Sequence, residues 1–79
     1  MLSLQFSSLK ETIAYNKLQA VFLPIDSGQV EILPNHSEAF FILQPGEIII
    51  QQKNSSKKIT IDTSAIAHVN NNEVMIVSS

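Results

Sequence analysis

The sequence has no cysteine and no arginine, and glycine appears only twice in 79 residues. Each absence narrows what the chain can be. Without cysteine there is neither a disulfide framework nor a thiolate metal site to reinforce a small fold, and the redox compartment leaves no mark. Without arginine, and with five lysines against seven acidic residues for a formal charge of −2, the chain lacks the dense cationic surface that suits nucleic-acid phosphates. Its one adjacent basic pair, Lys57-Lys58, reads as the solvated flank of a turn. Two glycines do not make a phosphate-cradling loop. No run approaches the roughly 20 apolar residues of a membrane-spanning helix; the longest is Ala39-Phe40-Phe41-Ile42-Leu43. The opening Met1-Leu2-Ser3-Leu4-Gln5-Phe6 alternates and carries no positive side chain, which fits a strand and not a signal peptide. Any link to a membrane therefore has to come through a partner.

What is present is a globular composition, 44% hydrophobic against 15% charged, in a length that allows one domain, 1–79. A chain this short buries only about 60–65% of its unfolded surface, so modest stability is expected. Period-2 alternation dominates. Leu2, Leu4 and Phe6 share one face, with Ser3 and Gln5 opposite. A short strand over 12–15 follows, and Asn16 is placed in a tight turn because asparagine tolerates left-handed backbone. A strand over 18–23 puts Val21 and Leu23 on one face and is expected to stop at Pro24, which cannot donate to a ladder. Asp26-Ser27-Gly28 is a turn, 29–33 a strand ended by Pro34, and 39–43 a strand rich in β-branched and aromatic residues. Pro45-Gly46 is the strongest turn signal. The segments 47–53 and 57–62 form a hairpin. A strand over 65–69, an Asn70-Asn71-Asn72 turn and a strand over 73–77 complete the chain. This is an all-β pattern: a flattened antiparallel sandwich or barrel of about nine to ten short strands. The alternative of a helix over 8–20 shows no convincing periodicity across three turns.

Residues 21–46, VFLPIDSGQVEILPNHSEAFFILQPG, carry a resemblance. The pattern is a strand ending in Leu23-Pro24, a small turn containing Gly28, then Ile32-Leu33-Pro34-Asn35-His36. An apolar strand follows, then Leu43-Gln44-Pro45-Gly46 before Ile48-Ile49-Ile50. In order and spacing this resembles the epsilon-subunit family of F-type ATP synthases, specifically its N-terminal β-sandwich domain. The likeness extends weakly through the asparagine turn and Glu73-Val74-Met75-Ile76-Val77 to nearly the whole chain. Ile25 stands where the family usually has glycine, Asn35 replaces the glycine before His36, Val30-Glu31 replaces an apolar-glycine pair, and Thr63-Ser64-Ala65 replaces a small glycine-containing turn. These departures mark a divergent member. Nothing helical follows Val77, whereas the family usually continues into a pair of C-terminal helices. The resemblance associates those helices with inhibition of ATP hydrolysis and, in some members, with nucleotide binding, so neither is expected of this chain.

The resemblance implies a non-catalytic part of the central stalk, without a cofactor. It would couple the gamma subunit to the membrane ring of c subunits and sit peripherally on the cytoplasmic face of an energy-transducing membrane, or its organelle equivalent. Ser27, Gly28, Gln29, Glu31, Asn35 and His36 are expected to face the ring, on two loops flanking one short strand. One of the adjacent Phe40 and Phe41 must point outward from a strand and is a candidate anchor for the gamma subunit. His36 reads as a loop histidine that orders its own turn, and not as a catalytic group. His68 is distant in sequence and no carboxylates stand at ligand spacing, so a metal site is not expected. No nucleophile elbow surrounds Ser27 or Ser64, so neither turn points to a hydrolase. The alternative function is a free-standing β-sandwich interaction module unrelated to ATP synthase.

Overall fold

The computed structural model describes residues 1–78. Nine strands succeed one another: β1 (Leu2–Ser7), β2 (Thr12–Leu18), β3 (Ala20–Ile25), β4 (Gly28–Ile32), β5 (Ala39–Leu43), β6 (Gly46–Gln51), β7 (Ser56–Ile61), β8 (Ala65–Asn70) and β9 (Glu73–Ser78). They form a five-stranded sheet in the order β2-β1-β9-β8-β5 and a four-stranded sheet in the order β4-β3-β6-β7. The all-β sandwich expected from the alternation is the fold observed. All pairings are antiparallel except β1 with β9, which run parallel and bring the two ends of the chain together inside one sheet.

The core follows from strand parity. Leu2, Leu4 and Phe6 of β1, Val21 and Leu23 of β3, Ile48 and Ile50 of β6, Ala65, Ala67 and Val69 of β8, and Val74 and Ile76 of β9 all point between the sheets and are buried. No polar or charged side chain among the described residues is buried with them. The interior is therefore held by apolar burial alone, worth roughly 25 cal/mol per Å² removed from water.

Two local readings shift, and one rejected alternative stays rejected. β3 does not stop at Pro24 but runs on to Ile25, with Pro24 opposite Gln29 of β4. The reason is position. β6 pairs with β3 only as far as Phe22, so on that side no ladder needs the missing N–H of Pro24. Its carbonyl instead accepts the Gln44 N–H at 2.9 Å and anchors the β5–β6 corner. The left-handed residue after Tyr15 is Lys17 (φ 58), not Asn16, and β2 extends past it to Leu18 through an irregular register against β1. The segment 8–20, drawn alternatively as a helix, is loop and strand.

The asparagine turn behaves as read. Asn71 and Asn72 both hold positive φ, 51 and 61, the pairing a two-residue β-hairpin turn requires. Asn72 has a second role, because its Oδ1 accepts the backbone N–H of Asn35 at 2.6 Å. Asn35 is itself left-handed at φ 67, as its place in a glycine position requires. Asn72→Ala is expected to cost about 1–2 kcal/mol, chiefly from left-handed strain; a urea denaturation curve reads it directly.

Candidate partner interface

The connections sort into two ends of the sandwich. The β3–β4 turn, the β5–β6 corner and the β7–β8 turn lie at one end. The β4–β5 loop, the β6–β7 turn and the asparagine turn lie at the other. The six residues expected to face a ring therefore do not form one cluster. Ser27 and Gly28 sit at one end of β4, Asn35 and His36 beyond the other, with a strand of about 13 Å between. β4 is the edge of its sheet. Val30 packs against the core and Ile32 is buried, so Gln29 and Glu31 project from the outer face, and both are exposed. Gln29 and Glu31 thus form a short polar stripe along one sheet edge with Ser27 and Gly28 at its end, while Asn35 and His36 lie in the loop that crosses to the five-stranded sheet, where Asn35 donates to Asn72.

His36 turns to its own loop. Its Nδ1 lies 2.7 Å from the Ser37 carbonyl, and its ring meets Phe41 edge-on at 6.4 Å. This is the turn-ordering role read from the sequence. Gly28 adopts φ 128 with open space where a side chain would stand, so the constraint there is backbone conformation and not crowding. On the same outer face Glu47 and Lys58 approach at 3.8 Å; both are exposed, and such a pair contributes little.

The two phenylalanines separate as strand parity demands. Phe41 packs inward against the core, so it offers no outward anchor; Phe40 is 69% exposed. Phe40 is not alone. The register of β5, β8, β9 and β1 aligns two rows across the outer face of the five-stranded sheet. One runs Ile42, Ile66, Val77, Ser7; the other runs Phe40, His68, Met75, Gln5. Ile42, Ile66 and Val77 are 69%, 58% and 58% exposed, and a shallow apolar depression opens among Ile42, Ala65, Ile66 and Val77. A contiguous apolar surface of this kind on a small domain marks an interaction site.

Sequence reasoning missed most of this surface. It singled out Phe40 but not Ile42, Ile66, Met75 or Val77. The signal was present: β5 and β9 are apolar at both parities, Ala-Phe-Phe-Ile-Leu and Val-Met-Ile-Val, the pattern of strands covered on both faces.

No group of three or more His, Asp or Glu among the described residues is placed to hold a metal ion. No helix is long and apolar enough to cross a membrane.

Comparison with known proteins gives these surfaces a context. A search of curated proteins finds no match. Among solved structures, the chain superposes on one from the Tetrahymena thermophila mitochondrial ATP synthase central stalk and c-ring. The TM-score is 0.78 at 14% identity, covering 96% of this chain and 61% of that one. It also superposes on one from the Euglena gracilis mitochondrial ATP synthase assembly of OSCP, F1 and c-ring in rotational state 1. There the TM-score is 0.84 at 22% identity, covering 95% of this chain and 48% of that one. At such identities the likeness speaks for the fold, and the chain spans about half to three-fifths of the chains it resembles. The family model described as "ATP synthase, Delta/Epsilon chain, beta-sandwich domain" matches residues 1–79, so the chain belongs to the family of ATP synthase delta/epsilon β-sandwich domains.

Proposed function

We propose that this domain is a rigid, non-catalytic coupling element of the rotor, held between the gamma subunit and the ring of c subunits and peripheral to the membrane. The observation that carries the reading is the family match along the whole chain. Two features of the fold support it. The apolar rows and the exposed Gln29 and Glu31 of β4 lie on the outer faces of different sheets, so the sandwich can engage two partners at once. Its interior has no buried polar group among the described residues, as suits a body that transmits torque and performs no chemistry. The apolar face around Phe40, Ile42 and Ile66 is assigned to the gamma subunit. Ser27, Gly28, Gln29, Glu31, Asn35 and His36, on β4 and the two loops that flank it, are assigned to the polar loops of the ring.

The test is a pull-down of the native-length protein from mildly solubilised membranes. Recovery with catalytic-head and ring subunits is expected. Recovery alone, from soluble extract at low salt, would contradict the assignment and favour a free-standing module. The ring assignment makes a narrower prediction. Glu31→Lys reverses a charge on the stripe while leaving the core untouched, so it should lower coupled proton- or sodium-driven ATP synthesis several-fold with an unchanged melting temperature. His36→Ala, whose ring is engaged by its own loop, should affect stability more than coupling.

A further inference from the structure

We propose that Glu38, Phe40 and His68 form a receptor for an arginine guanidinium presented by the gamma-type partner on the apolar face. The inference rests on the reading above and specifies the chemistry of that partner. Glu38 and Phe40 are two residues apart at the start of β5, and His68 stands directly opposite Phe40 on β8. The Phe40 and His68 rings stack in parallel, centroids 4.2 Å apart with an interplanar angle of 5°. His68 Nε2 lies 2.8 Å from Glu38 Oε2. An ionised carboxylate only accepts, so Nε2 carries the proton and donates. That bond fixes the carboxylate at the border of the apolar rows. Glu38 Oε1 has no partner among the described residues, and because β5 is the edge of its sheet and Phe40 is 69% exposed, no strand covers the ring face turned away from His68.

The charge around this face points to a cation. Its apolar rows contain no acidic side chain and no lysine. Val74 is buried, so Glu73 projects on the same outer face, in the row beyond Met75 and at the same end as Glu38. Lys10, Lys53, Lys57 and Lys58 lie elsewhere, in the β1–β2 loop and in and before β7, and Lys17 stands at the end of β2, the edge strand farthest from β5 in this sheet. The face is thus apolar in its middle and carboxylate-bearing at one end, with its one lysine at the edge opposite Glu38. A planar guanidinium meets both parts of the receptor, lying on the open Phe40 face while donating to Glu38. A lysine ammonium could reach the carboxylate but could not stack. The occupant is therefore a segment with an apolar ridge and an arginine at its Glu38 end.

The test measures affinity between this protein and the gamma-type subunit of its own complex, purified separately. Glu38→Gln keeps shape and removes charge; about 10- to 100-fold weaker binding is expected, with a flatter dependence on salt. Phe40→Leu keeps an apolar group and removes the ring face, and should weaken binding by about 10-fold. Thr60→Ala, on the opposite sheet, is the control and should change nothing. Circular dichroism and thermal melts establish that each variant is folded; all three positions are exposed. Wild-type affinity in both Glu38→Gln and Phe40→Leu would overturn the receptor while leaving the stalk assignment standing. Absence of binding by the unmodified protein would overturn both.

Discussion

Ile48→Ala should bring the domain close to unfolding. Ile48 is fully buried at the middle of β6, between β3 and β7, and lies opposite Ile59. Removing most of a buried isoleucine side chain costs about 2–5 kcal/mol, from lost transfer energy and the cavity left behind. A domain of this size has a total stability of only about 4–12 kcal/mol, and here there is no disulfide to compensate. Its neighbour supplies the control. Ile49 points to the outer face and is half-exposed, so Ile49→Ala should cost about 1 kcal/mol or less. Urea denaturation of both variants measures the contrast. Similar losses at the two positions would mean that strand parity does not define the core as described.

Ile66→Lys should have the opposite profile, a folded domain that no longer docks. Ile66 sits in the row between Ile42 and Val77 and is 58% exposed. Its side chain contributes little to the isolated fold, and the melting point should move by no more than a few degrees. Under a partner the same position is central and desolvated. A buried, unpaired ammonium there should weaken association by at least about 2 kcal/mol, roughly 30-fold or more. Co-purification with the gamma-type subunit and a thermal melt of the free domain separate the two effects. Retained assembly by a folded Ile66→Lys protein would remove this face from the interface.

Where the sequence was informative, the reason was local. Alternation placed Leu2, Leu4 and Phe6 inward because side chains on a strand change face at every residue. Asn35 and the Asn70-Asn71-Asn72 turn were readable because few residues other than glycine accept positive φ. What escaped depended on contacts distant along the chain. The parallel pairing of β1 with β9 joins the two ends and leaves no turn signature. Pro24 continues a strand because β6 happens to release β3 at Phe22, which no property of Pro24 announces. The loss of Phe41 from the docking surface, and the gain of Ile66 and Val77, required the register of three strands. The polar stripe looked compact in sequence because β4 is short, yet a strand is the most extended way to separate two loops.

The measurement closest to the central claim uses the absence of cysteine. Every introduced thiol is unique on this protein, so Glu31→Cys and Ile66→Cys can each carry one photoactivatable cross-linker into membranes containing the assembled enzyme. A rotor element gripped on two faces predicts two products: an adduct with the small ring subunit from position 31, and an adduct with the gamma subunit from position 66. Adducts with neither subunit from either position, in membranes where the protein is present and folded, would contradict the account.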